Sequence, residues 1–302
     1  MKKISAIINT KNAADTLDAC LSSLSFADEI IVVDMHSIDK TKAIALSHGV
    51  KFLLHDDLGF VEPARNFAIA QAKHDYVLVI DADEVISSGL QKRIQSILKE
   101  KEPADVYLIP RQNIVFGQWL KHTGWWPDYQ ARFFKKGSVA WSSTIHQPPT
   151  VSGKVMKLPP EESLAIVHHH YQSVLSYIER LNRYTSVQAE GLLKGYVQQV
   201  DQPALVSSFF NEFFRRFFVF FGYKDGVVGT SLSFLQASYE LTVLLKMWEH
   251  LDKRSHQNEE KAVIEALCKS RSDLSYWLAD WNVKNSSGLK KLYWQVRRKA
   301  RW

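Results

Sequence analysis

The sequence predicts an α/β fold, a doubly wound and mostly parallel sheet followed by a C-terminal helical extension. Up to residue 110 short β-branched runs alternate with stretches of helical spacing, the rhythm of βαβ units. Residues 111–170 then become rich in Trp, Pro and Gly, as loops and short antiparallel strands around a site do, and from Tyr171 onward the pattern is helical. The expected division is therefore 1–170 for the α/β domain and 171–302 for helices.

The predicted strands are residues 4–9, 29–34, 51–54, 76–81 and 106–110. Apolar spacing predicts helices over 14–24, 40–48, 63–73 and 89–101, with Ser88 as an N-cap and Pro63 at a first helical position. In FFNEFFRRFFVFF, residues 209–221, the phenylalanines fall on one side of a helical wheel and Asn211, Glu212, Arg215 and Arg216 on the other. Two readings stay open for that helix: it faces a core, or it lies at a membrane surface beneath a lipid-linked substrate.

Composition narrows the function. The chain has 302 residues, 46% hydrophobic and 23% charged, which fits a globular protein and excludes disorder or collagen-like repeats. Its net charge of +6 comes from residues 284–302, where Lys284, Lys290, Lys291, Arg297, Arg298, Lys299 and Arg301 meet no acidic residue. The body is close to neutral, so no nucleic-acid partner is expected. The basic tail interleaves Leu, Tyr and Trp with cations and suits either an anionic headgroup surface or solvent. Cys20 and Cys268 form neither a disulfide framework nor a CxxC site, which points to a reducing compartment. No apolar run is long enough for a signal peptide or a membrane span, so the expected location is cytoplasmic, peripheral on the inner face of the cell membrane.

Asp34 and Asp81 end the apolar runs IIVVD and YVLVID, which in a parallel sheet puts both on the carboxyl rim where open α/β sheets bind ligands. In an extended chain Asp81 and Asp83 project to one side and share a hard cation. No GxGxxG, GxxxxGK[ST] or GxSxG occurs, so a dinucleotide turn, a P-loop and a nucleophile elbow are absent. A nucleotidyltransferase would show a glycine-rich basic loop after the first strand, where this chain has TKNAADTLDA. A membrane-surface scaffold without catalysis is the non-enzyme alternative.

The order of motifs resembles the family 2 glycosyltransferases of GT-A fold. It runs through Thr10–Asn12, residues 28–41, the Ala64-Arg65-Asn66 triplet and the DADE that ends at Glu84, and then through GWWPDYQARFFKKG, TIHQ around His146, and His168 to Tyr171. Over about residues 3–200 the likeness is nearest to the branch of bacterial lipopolysaccharide inner-core enzymes, and it is weaker in GYKDGVVG. The resemblance implies a metal-dependent, inverting transfer of a sugar from a nucleotide sugar, a UDP-sugar by default, to a cell-envelope glycan or lipid-linked acceptor. It implies that Thr10, Asn12, Asp34, Arg65 and Asp81 bind the nucleotide sugar and that Asp83 with Asp81 binds Mg²⁺ or Mn²⁺, while Asp128 takes the acceptor proton. Trp125, Trp126, Arg132, His146 and His168 are candidate acceptor or phosphate contacts. A turn role for Asp128 after Pro127 and purely structural histidines are the competing readings. The chain departs from many relatives at His36 and Ile38, and at Ala13 and Gln147, where glutamate is frequent.

Overall fold

β1 (Ile4–Thr10) is buried along its whole length, as a strand covered on both faces must be. The computed structural model describes residues 2–58, 61–142, 148–194, 200–251 and 260–301. After β1 come α1 (Leu17–Ser22), β2 (Glu29–Asp34), α2 (Thr41–Ser47), β3 (Lys51–Leu54), α3 (Glu62–Ala70) and β4 (Tyr76–Asp81). β1 pairs in parallel with β2 on one side and β4 on the other, and β3 extends the edge in parallel with β2. The period of two sorts the strand residues between faces. Ile4, Ala6 and Ile8 pack with Leu17, Cys20 and Leu21 of α1 and Ala45 of α2, whereas Ile7 packs with Ala64, Ala68 and Ile69 of α3. Helices therefore cover both faces, which is the doubly wound arrangement expected.

Beyond β4 the sheet turns mostly antiparallel, with β11 the parallel exception. β5 (Glu84–Ile86) is followed by α4 (Ser88–Ile97), β6 (Val106–Val115), β7 (Gln118–Trp119), β8 (Asp128–Lys135), the small antiparallel pair β9 (Val139–Ala140) and β10 (Thr150–Val151), β11 (Val155–Lys157) and β12 (Ile166–Tyr171). The order across the sheet is β3-β2-β1-β4-β8-β6-β12-β5, with β7 and β11 also paired to β6. Three expectations need correction. β6 does not stop at Pro110 but runs to Val115, because the fixed φ of proline is compatible with extended backbone. The cap of α4 is Ser87 rather than Ser88, its hydroxyl accepting from the Leu90 amide at 3.2 Å. Pro63 follows Glu62 into α3 instead of opening it.

Contacts divide the chain into two units, Met1–Trp119 with Trp126–His170, and Leu120–Trp125 with Tyr171–Trp302. Leu120–Trp125, assigned from sequence to the first domain, belongs with the helices. The buried Asp225 carboxylate accepts from the amides of Lys121 and His122, at 3.3 and 2.8 Å, and from the Thr123 hydroxyl at 3.2 Å, while the Thr123 amide donates to Phe220 O at 2.8 Å. The helices of this unit are α5 (Val174–Leu193), α6 (Gln202–Phe214), α7 (Gly226–His250), α8 (Glu260–Lys284) and α9 (Gly288–Ala300). α7 comes so close to the preceding turn that a Cβ on Gly229 would lie 2.1 Å from Gly222 O.

The phenylalanine run does not make one continuous α-helix. α6 ends at Phe214 and a π-helical turn carries residues 215–219. Phe214 and Phe218 are buried, Phe213 meets Phe234 of α7 at 4.5 Å, and Phe218 stacks on Trp277 of α8 at 5.8 Å. The core-facing reading is the one that forms. Glu212, expected on a solvated side, is buried because Arg215 and Arg216 neutralise it at 2.6 and 2.7 Å.

Candidate active site

The carboxyl ends of β1, β2 and β4 lie side by side, with Thr10 opposite Asp34 and Asn9 opposite Asp81 in register. Asp34 accepts from the Ser37 amide at 2.9 Å and from the Ser37 hydroxyl. Asn12 occupies the left-handed region at φ +50°, where asparagine is tolerated, and its side-chain oxygen accepts from the Ile38 amide at 2.9 Å. These bonds hold the loop after β2 against the end of β1. The Thr10 hydroxyl and both polar atoms of the Asn9 amide are buried with no hydrogen-bond partner among the described residues. Unsatisfied buried polar atoms at a rim mark a place that a ligand or water completes.

A chain of alternating charges crosses the sheet next to them. Arg65 of α3 and Arg132 of β8 each bind one oxygen of Asp81. Arg132 also donates to Glu84 Oε1 at 2.9 Å, and the other Glu84 oxygen accepts from the Asp81 amide at 3.0 Å. Arg111 of β6 donates to Glu84 Oε1 at 3.2 Å and to Asp128 Oδ2 through Nε and Nη2, at 2.8 and 2.6 Å. Asp128 further accepts from Asn113 Nδ2 at 3.2 Å and Gln130 Nε2 at 2.7 Å. Asn113 Oδ1 lies 2.6 Å from His168 Nδ1, so that nitrogen donates to it. Nε2 lies 3.6 Å from Asp83 Oδ2 and 3.2 Å from His170 Nδ1.

Burial alone would raise the Asp81 pKa, but the charges of Arg132 and Arg65 outweigh it and hold this carboxyl well below the usual range. Asp128 shows the same competition, with Arg111 and the amides of Asn113 and Gln130 keeping it low against burial. Burial would lower the Arg132 pKa, yet Asp81 and Glu84 more than compensate and it is raised. Both carboxylates therefore stay ionised in a partly buried setting.

The chain does not stay extended through the acidic triplet. Residues 82–83 form a turn, so Asp81 faces the arginines while Asp83 faces His168. Among the described residues no cluster of three or more His, Cys, Asp or Glu side chains is poised for a metal. Asp83 and His168 are the pair that fits one, an oxygen and an imidazole nitrogen whose second nitrogen is fixed by Asn113. Arg132 is buried and its Nη2 donates to both Asp81 and Glu84, so it acts on the site through them. Trp126 packs edge-on against Trp119 at 5.1 Å, whereas Trp125 lies 6.2 Å from Tyr171 in the helical unit. His146 and Gln147 lie outside the described residues. Glu84, Arg111 and Asn113 were not singled out from sequence. Glu84 closes the DADE run, and Arg111 and Asn113 stand two apart on β6, beyond the point where the predicted strand ended.

Residues 5–152 match the family model described as Glycosyl transferase family 2. An uncharacterized glycosyltransferase of Rickettsia bellii is 31% identical over 263 residues, covering 78% of this chain and 85% of its own length. The lipopolysaccharide core biosynthesis glycosyltransferase LpsC of Rhizobium meliloti is 21% identical over 86% of this chain and 97% of its own. Among solved structures, S. aureus TarS in complex with UDP covers 84% of this chain at 15% identity with a TM-score of 0.46.

Proposed function

This chain belongs to glycosyl transferase family 2, and from that premise we propose that it moves a sugar from a nucleotide-sugar donor, with uridine as the default base, to a glycan or lipid-linked acceptor of the cell envelope, inverting the anomeric carbon with the help of a divalent metal. The observation that carries the proposal is the rim itself. Register sets Thr10, Asp34 and Asp81 along one edge, Arg65 reaches that edge, and the Thr10 hydroxyl has no partner among the described residues. The envelope acceptor draws on the printed activity of the Rhizobium relative. With family membership established, the nucleotidyltransferase and scaffold alternatives are set aside.

Thr10, Asn12, Asp34 and Arg65 hold the nucleoside, and Asp81 keeps Arg65 aimed along the rim. Asp83 and His168 would hold Mg²⁺ or Mn²⁺, whose charge offsets that building on the diphosphate leaving group. Asp128 faces the acceptor. As the acceptor oxygen bonds to the anomeric carbon, the bond from that carbon to the diphosphate breaks, the nucleoside diphosphate leaves with the electron pair, and Asp128 takes the acceptor's proton. A carboxylate held low by Arg111 is a weak base at rest. It is competent here because the attacking hydroxyl turns strongly acidic as its oxygen becomes bonded to carbon.

Calorimetric titration of UDP and GDP, with and without Mn²⁺, into wild type and Asp83→Ala tests the reading. UDP binding that Mn²⁺ strengthens in wild type and not in the variant supports it. Binding of neither nucleotide, or Mn²⁺-dependent binding that survives Asp83→Ala, overturns it.

A further inference from the structure

α9 carries its apolar stripe on the side away from the helix it packs on. Positions i, i+3, i+4 and i+7 share one side of a helix, and here they are Leu289, Leu292, Tyr293 and Val296, exposed by 86%, 57%, 55% and 59%. The opposite side belongs to α8, where Arg298 donates to Asp280 Oδ1 at 2.7 Å and Arg301 to Asp273 Oδ1 at 3.1 Å. A helix serving only the core of its own unit would show the reverse, with its apolar side inward and its cations in water. At about 100° per residue, Lys290 and Arg297 fall on one flank of the stripe and Lys299 on the other. Residues 284–302 contain no Asp or Glu.

We propose that α9 docks on an anionic lipid surface, with Leu289, Leu292, Tyr293 and Val296 seated at the acyl boundary and Lys290, Arg297 and Lys299 against headgroup phosphates. Long cationic side chains reach past an apolar stripe to the headgroup level, and an aromatic ring with a polar tip suits that depth. Charge selects the occupant. A second copy of this face would oppose like cations with no acid between them, and four side chains fall short of the roughly 1,200 Å² that a stable pairing buries. No described helix is long and apolar enough to cross a membrane, so α9 lies on the surface rather than spanning it. The proposal deepens the envelope reading above and rests on it only for where the enzyme works.

The test is flotation of the full chain with phosphatidylcholine vesicles, with and without phosphatidylglycerol, in the absence of donor and acceptor. Wild type is expected to float with the phosphatidylglycerol vesicles and to be released by salt. Each cation near such a surface contributes about 1 kcal/mol, close to fivefold, so Lys290→Glu with Lys299→Glu lowers partitioning by about 25-fold or more. Leu292→Glu with Val296→Glu, at exposed positions that leave the fold intact by circular dichroism, removes the apolar share and also releases the chain. Equal binding to neutral vesicles, no flotation of folded wild type, or either double variant floating like wild type overturns the proposal. So does a wild-type dimer in light scattering that Leu292→Glu with Val296→Glu converts to monomer. A chain that fails to float yet binds UDP loses this inference and keeps the transferase reading.

Discussion

Glu84→Gln removes one charge from the middle of the ion-pair chain while keeping its shape. The side chain is fully buried, its Oε1 accepts from Arg132 at 2.9 Å and Arg111 at 3.2 Å, and its Oε2 accepts from the Asp81 amide at 3.0 Å. An amide has one accepting and one donating end. Whichever way it is turned, its NH₂ meets a donor, either the backbone N–H of Asp81 or the two guanidinium groups. Removing one partner of a buried pair costs about 3–5 kcal/mol, which raises the population of the opened state about 150- to 5,000-fold. Hydrogen exchange of the β4 amides, Tyr76–Asp81, reads that opening directly and reports the first unit alone, which melting of the whole chain would not. Exchange accelerated by two orders of magnitude or more is expected, together with weakened UDP binding, because Asp81 loses the neighbour that fixes its turn. Acceleration of less than about tenfold would refute the idea that Glu84 is the counter-ion shared by both arginines.

Acid offers a second test. A carboxyl whose folded pKa is depressed adds stability above its unfolded value, about 3.9 for Asp, and that stability is lost as the pH falls through the folded value. Asp81 and Asp128 are both depressed, so urea unfolding should show their contribution unchanged from pH 7 to about 4 and lost only in stronger acid, with Asp81→Asn weaker at pH 7 and flatter below 4; a loss already complete at pH 5 would contradict the pairing. In the helical unit, Asp225→Asn leaves one oxygen to accept the bonds that two now take from Lys121, His122 and Thr123, and limited proteolysis within 120–125 should quicken about 5- to 150-fold, for a loss of about 1–3 kcal/mol. Unchanged cleavage would mean that other contacts hold the loop.

The parallel half of the sheet was legible because a strand buried on both faces must be an unbroken apolar run. Residues 29–34 and 76–81 are such runs, each closed by an aspartate, and the structure places both aspartates on the rim. The antiparallel half was harder to read. β6 mixes Pro110, Arg111 and Asn113 into a strand whose charges are satisfied by β8 and by Glu84, so its sequence looks like a loop. The phenylalanine run was legible as apolar on one side, but neither its switch to a π-turn nor the inward position of Glu212 shows in a wheel that assumes a constant turn per residue.

Sequence by itself determined the α/β class and the rim position of Asp34 and Asp81, since burial writes itself into local periods of two and 3.6 residues, while the order of its motifs pointed to the family and to Thr10 as a nucleotide contact. Tertiary structure alone decided how the charges pair. Arg132 meets Asp81 across 51 residues of chain and Arg111 meets Asp128 across 17, and no local pattern records such distances. It also decided that Asp83 turns to His168 while Asp81 turns to the arginines, and that Leu120–Trp125 joins the helices. The physical reason is that burying an apolar side chain requires only an interior, whereas burying a charge requires one particular partner, and folding alone brings that partner within reach.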